Sequence, residues 1–179
     1  MTRTLSVLRN VFETTALTSV RPALAADLAA IRRIYNEGIL DRVATLDEGE
    51  KSEADILEWW GAHDERHAVF VAERAGDVVG WAALNRYSQR CAYDGVADLS
   101  IYVARNARGT GVGSTLLAEL ERAAAEREFH KIVLFTFGFN EAGQRLYRAR
   151  GFREVGVFRN QGKLDGVYVD VMAMEKLLG

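Results

Sequence analysis

From residue 101 the chain reads Ile101-Tyr102-Val103-Ala104-Arg105-Asn106-Ala107-Arg108-Gly109-Thr110-Gly111-Val112-Gly113-Ser114. Strand-forming residues pass into a basic, glycine-rich loop, and the loop passes into a helix-forming segment. The first N–H groups of a helix lack intrahelical partners and carry partial positive charge, so such a junction attracts phosphate. Glycines at 109, 111 and 113 remove β-carbons where an anion would sit against the backbone, and Arg108 adds a formal charge. The Walker A run, Gly, four residues, then Gly-Lys-Ser/Thr, does not occur. The dinucleotide spacing Gly-x-Gly-x-x-Gly also fails: counted from Gly109 its third glycine falls on Ser114, and from Gly111 on Leu116. What remains is Arg-x-x-Gly-x-Gly over 108–113, which a glycine-rich turn without a ligand would also satisfy.

Other residue types could do chemistry. In the segment 96–103, Ala97, Leu99, Ile101 and Val103 point one way and Val96, Asp98, Ser100 and Tyr102 the other. A carboxylate inside such a strand is costly to bury alone, so Asp98 calls for an open cleft or a structural partner. Arg90 and Tyr93, with Arg86 behind them, are candidates for an anionic head group, because Arg captures carboxylate or phosphinate bidentately. A solvated surface charge is the other reading of each Arg. Asn140 stands where it would cap a helix. His63 and His67 are four apart, but Asp64 follows where His-Glu-x-x-His needs Glu, and no third ligand is evident, so no metal is expected. Cys91 is the sole cysteine; it forms no internal disulfide and pairs with no activating base.

The elements that must position these residues follow from periodicity. A short strand at 19–21 leads to a helix over 25–39, with Leu28, Ile31, Ile34, Tyr35 and Gly38 as its core stripe. An extended piece is expected at 43–46. Ser52 and Asp55 form an imperfect capping box for a helix through 62. Segments 68–74 and 78–85 form a hairpin about Ala75-Gly76-Asp77. A strand at 96–103, an amphipathic helix at 111–127 and an apolar strand at 131–137 make a right-handed parallel crossover. A helix at 140–150 stops at Gly151, and strands near 153–158 and 167–174 close a hairpin around 162–166. The class is α+β, a mixed sheet with helices on both faces.

With 179 residues the chain suits one domain over 20–179 after an N-terminal extension at 1–19. That extension has a weak echo of a transit peptide; a start site placed too early is the plainer reading. The 23 basic and 25 acidic side chains of the whole chain leave a charge of -2, no basis for a nucleic-acid or anionic-membrane partner. No apolar run approaches the roughly 20 residues of a membrane helix. Cysteine usage fits the cytoplasm.

The loop at 108–113 after a strand, followed by Asn140-Glu141-Ala142-Gly143-Gln144-Arg145-Leu146-Tyr147 and then Gly151-Phe152, resembles the GNAT superfamily of N-acetyltransferases. The resemblance runs from about residue 20 to the C-terminus. It implies the GNAT fold: a mostly antiparallel mixed sheet, with a splayed parallel strand pair at the acetyl-CoA site. It implies acetyl-CoA as cosubstrate. The pyrophosphate would lie on Arg108, Gly109, Thr110, Gly111, Val112, Gly113 and Ser114. The pantetheine amides would pair with the backbone of Ile101, Tyr102 and Val103, and Asn140 and Tyr147 would lie beside the arm and the sulfur.

The stretch Arg90-Cys91-Ala92-Tyr93-Asp94-Gly95-Val96-Ala97-Asp98-Leu99-Ser100-Ile101-Tyr102-Val103 is similar to the substrate strand of phosphinothricin acetyltransferases, and Ile34-Tyr35-Asn36-Glu37-Gly38-Ile39 to their first helix. The tail from Gln161-Gly162-Lys163-Leu164-Asp165-Gly166 to Val169-Asp170-Val171 is similar to the branch linked to arsinothricin resistance. Such relatives acetylate the α-amino group of amino acids or of phosphinic, sulfoximine or arsinic analogues, and are commonly dimers. Where the phosphinothricin enzymes carry Glu, this chain has Asp98, one methylene shorter. It would act directly, through a bridging water, or not as the base at all. Amine acetylation needs an ammonium to lose a proton, donors for the carbonyl oxygen, and an acid for the thiolate. Asp98 is the candidate base and Tyr147 the candidate acid. A protein or peptide N-acetyltransferase and a non-catalytic acyl-CoA sensor are the rival readings.

Overall fold

The computed structural model describes residues 17–179. The expected extension over 1–19 thus lies outside the described residues except at its end, where Thr18 and Ser19 already belong to the first strand. The strands are β1 (Thr18–Pro22), β2 (Val69–Arg74), β3 (Asp77–Arg86), β4 (Val96–Val103), β5 (Lys131–Phe137), β6 (Arg153–Leu164) and β7 (Val167–Leu177). They form one sheet in the order β1-β2-β3-β4-β5-β7-β6. Only β4 and β5 are parallel neighbours. The helices are α1 (Leu28–Leu40), α2 (Glu53–Gly61), α3 (Val112–Glu126) and α4 (Glu141–Ala149). The fold is α+β, as the periodicity predicts.

Register sorts the sheet's two faces. Trp81 pairs with Tyr102 and Asn85 with Asp98, so all four side chains share one face. Helix α1 covers that face, and a β-carbon on Gly38 would come within 2.9 Å of the Tyr102 ring. Gly80, paired with Val103, looks the other way, where a β-carbon would meet Val112 and Leu116 of α3 at 3.0 Å. Helix α3 buries Val112, Leu116, Leu117, Leu120, Ala123 and Ala124, the apolar stripe of its 3.6-residue period. Each large side chain buried there contributes about 1.5–3 kcal/mol. Under α1, Tyr35, Trp59, Trp81 and Tyr102 pack as an aromatic cluster with neighbouring ring centroids 4.8–5.6 Å apart.

Local chemistry explains most element ends. Ser52 Oγ accepts from the Asp55 amide at 3.2 Å and Asp55 Oδ2 accepts from the Ser52 amide at 2.7 Å, so Asp completes the box where Glu is usual. Ala75 and Gly76 both have positive φ, the two-residue turn that a twisted hairpin requires. Two expectations are corrected. No strand forms at 43–46: Arg42 takes φ 59° and anchors on the Ile39 and Glu48 carbonyls, which turns the chain before it can extend. The last hairpin turns at Asp165–Gly166 rather than around 162–166, and β6 runs on past Phe158 through a bulge in which Asn160 has φ 52°.

Candidate active site

The ladder between β4 and β5 holds for Val96–Lys131, Ala97–Ile132 and Asp98–Val133, then stops. Beyond Asp98, β4 remains laddered to β3 as far as Val103, while its other edge faces β5 unpaired. Asp98 therefore stands at the crotch of a fork. An exposed strand edge offers amide and carbonyl groups to any extended ligand with the same spacing.

A cleft of about 650 Å³ opens along this fork. Ile101, Tyr102 and Val103 form one wall, and Asn140, Leu146 and Tyr147 the other. Arg108, Gly109, Gly111, Gly113 and Ser114 close one end, at the N-terminus of α3. Positive φ explains two glycines: 73° at Gly109 and 89° at Gly111, the αL cap of α3. Gly113 serves packing, since a β-carbon there would come 3.1 Å from Leu146 of α4. Arg108 donates from Nε to the Val103 carbonyl at 3.0 Å and from Nη1 to Asp41 at 2.5 Å, so its charge is shared with the end of α1. Both Arg105 and Arg108 hold the Asp41 carboxyl below the usual range. Asn140 caps α4 through Gly143 N and donates to Thr136 Oγ1. Tyr147 is 7% exposed, and its hydroxyl has no hydrogen-bond partner among the described residues. Burial pushes its pKa up, with Tyr102 and Asp98 adding to the effect.

A smaller cavity of about 380 Å³ adjoins the fork on the α1 face, lined by Tyr87, Ser88, Arg90, Tyr93, Asp98 and Phe135. Asp98 has no ion pair among the described residues, which removes the salt-bridge reading of its burial. Burial pushes its carboxyl up to about 6, against the opposing pull of the Leu99 amide and the Asn85 side chain. A carboxylate so poised next to a cavity can exchange a proton near neutral pH.

Most of the sequence candidates converge. Arg90, Tyr93 and Asp98 share the smaller cavity, and the backbone of 101–103, the loop, Asn140 and Tyr147 share the cleft. Three stand apart. Val112 is buried in the core. Thr110 spends its hydroxyl on the Ala107 carbonyl and on Arg74. Arg86 faces Asp94 at 3.8 Å, outside both cavities. Asn85, Phe135 and Asp41 bear on the site but were not singled out from the sequence, and His63, weighed there only as a metal ligand, joins it through Asn85. They approach it through register and tertiary packing, for which the chain carries no local signal.

The family model for the acetyltransferase (GNAT) family matches residues 29–152. A phosphinothricin N-acetyltransferase of Streptomyces coelicolor is 32% identical over 92% of this chain and 98% of its own. An L-methionine sulfoximine/L-methionine sulfone acetyltransferase of Pseudomonas paraeruginosa is 30% identical over 88% and 92%. Among solved structures, the phosphinothricin acetyltransferase of Sinorhizobium meliloti in complex with AcCoA superposes with TM-score 0.85 at 33% identity, covering 90% of this chain and 89% of that one.

Proposed function

The chain belongs to the GNAT acetyltransferase family, and from that premise we propose that it moves an acetyl group from acetyl-CoA to the α-amino group of a small amino acid or a toxic analogue of one, of the phosphinothricin, methionine sulfoximine or arsinothricin type. The observation that carries this reading is the place of Asp98, at the crotch of the fork, with the cleft on one side and an Arg- and Tyr-lined cavity on the other.

The cleft suits acetyl-CoA in three respects: an unpaired strand edge for the pantetheine amides, an αL-capped helix N-terminus for the pyrophosphate, and room for the arm. When bound, acetyl-CoA supplies a thioester whose acyl carbon the amine attacks directly, the C–N bond forming as the C–S bond breaks. Arg90 and Tyr93 grip the acceptor's acidic group. Asp98 takes the ammonium proton, directly or through one water. Tyr147 gives its hydroxyl hydrogen to the departing sulfur and regains one as the acylated nitrogen releases its second proton.

The same reading places the enzyme in the cytoplasm as a homodimer. Support for the dimer comes from β6, where Val155, Val157 and Phe158 are 49–53% exposed on an edge strand. The charge balance supports a small-molecule acceptor over nucleic acid, and no described helix is long and apolar enough to cross a membrane.

The test is coenzyme A thiol release with phosphinothricin, arsinothricin, methionine sulfoximine, ordinary amino acids, a polyamine and a lysine peptide. Turnover concentrated on the analogues or on one amino acid is the expected result. Preference for the peptide would transfer the chain to protein acetylation. Tight acetyl-CoA binding with no turnover on any amine would make it an acyl-CoA sensor.

A further inference from the structure

Behind Asp98, away from the cleft, lies a polar chain that runs through the sheet face under α2. Asn85 is the cross-strand partner of Asp98 and shares its face. The Asn85 amide nitrogen donates to Ser100 Oγ at 2.9 Å. Its oxygen lies 3.1 Å from His63 Nε2, and His63 Nδ1 lies 2.8 Å from the Trp59 carbonyl. A carbonyl only accepts, so Nδ1 carries a hydrogen. The ring thus bridges the Trp59 carbonyl and the Asn85 side chain, and Asn85 is held with its NH2 group toward Ser100, on the face that carries Asp98. The ring of His63 is itself packed on Trp59, 4.5 Å between centroids.

A shorter base has a particular need for such support. Aspartate at 98 keeps its carboxylate close to the strand, where β3 supplies the neighbours. The other titratable or charged groups around it are Arg90, Tyr87 and Tyr93 across the smaller cavity and Tyr147 from α4. None of them has a hydrogen bond to Asp98 among those found in the described residues. The Asn85 side chain faces Asp98 across the β3–β4 ladder and pulls its carboxyl down against the effect of burial.

We propose that Asn85, anchored by His63 and Ser100, is the positioning residue that aims the Asp98 carboxylate at the acceptor nitrogen. The proposal rests on the reading of Asp98 as the base.

The experiment is the pH profile of kcat/KM for the acceptor in Asn85→Ala, His63→Leu, His63→Gln and Asp98→Asn, each checked for a native melting transition. Loss of a donor to a charged group moves the acid limb upward by about one pH unit and lowers kcat roughly tenfold in Asn85→Ala, with the KM for acetyl-CoA unchanged. His63→Leu moves the limb in the same direction. His63→Gln keeps an N–H where Nε2 stood and returns the limb toward wild type. In parallel, a carbon-13 titration of the Asp98 carboxyl in the free enzyme reads the same shift without turnover. An inactive Asp98→Asn beside an unmoved limb in Asn85→Ala would overturn the positioning role and leave the base in place. A fully active Asp98→Asn would overturn the base, and the positioning role with it.

Discussion

Burial holds the Asp98 carboxyl near 6, and its consequences for activity and for stability run in opposite directions. In its proposed role as base Asp98 works ionised, so kcat/KM is expected to fall as the pH drops through about 6, and Asp98→Asn to remove that limb together with roughly 10²–10⁴-fold of rate. In folding, a carboxyl whose pKa is raised in the native state binds its proton more tightly there. Its contribution to stability is present below the unfolded value of about 3.9 and is lost as the pH rises through about 6. Asp98→Asn is therefore expected to melt higher than wild type at pH 7–8, by about 1–3 kcal/mol, and to lose that advantage near pH 4. Scanning calorimetry at the two pH values reads the difference. Tyr147→Phe deletes a hydroxyl that has no described protein partner, so the fold is expected to keep its melting temperature while kcat drops about a hundredfold. Asp98 stood out as a carboxylate inside a strand, Arg90 and Tyr93 as a pair suited to an anionic head group, and Tyr147 came through the family resemblance; the structure brings the first three to one cavity and Tyr147 to the cleft. The link from Asn85 and His63 to Asp98 was not legible, because it exists only once β3 is registered against β4.

At the scale of elements, the loop at 108–113 was read correctly as a strand-to-helix junction, yet its glycines do different work. Gly111→Ala forces a β-carbon into φ 89° and costs about 1–2 kcal/mol. Gly113→Val instead pushes α4 off α3, and with it Leu146 and the cleft wall. Arg108→Ala takes a guanidinium from the loop end of the cleft and from Asp41; on the proposed acetyl-CoA site, KM for acetyl-CoA is expected to rise about tenfold with kcat little changed, read by steady-state kinetics at fixed acceptor. The strongly periodic α3 and the hairpin at Ala75–Gly76 were legible because local chemistry decides them. Strand β6 was misread at its far end for a physical reason. Nearly all of it is exposed, so it carries no inside–outside alternation, and Asn160 with Gly162 looks like a turn where the structure has a bulge. The extended piece expected at 43–46 is bent instead, and Val43 and Ala44 line the cleft.

Across the whole molecule, the sheet is interrupted at the fork between β4 and β5 and exposed along β6, the surface proposed for a second copy. Phe158 on the outer strand, its ring 6.4 Å from Phe135, ties that strand to the smaller cavity, while Val157 beside it points to the opposite face of the sheet. On the proposed dimer, Phe158→Glu is expected to halve the mass measured by light scattering and to weaken acceptor binding in the same variant. The overall topology was legible through its order of elements, since strand, helix, strand in sequence prescribes the parallel pair. How far that pair stays zipped was not, because nothing in the residues of β4 marks Asp98 as the last rung.

The early end of that ladder also gives the empty protein a fingerprint in deuterated water. From Leu99 to Val103, the main-chain hydrogens pointing at β5 have no rung to protect them, while those pointing at β3 do. Alternate amides of one strand should therefore label at very different speeds. A bound ligand that completes the ladder would slow the fast set alone, so occupancy of the cleft can be read by mass or by NMR even before any acceptor is known.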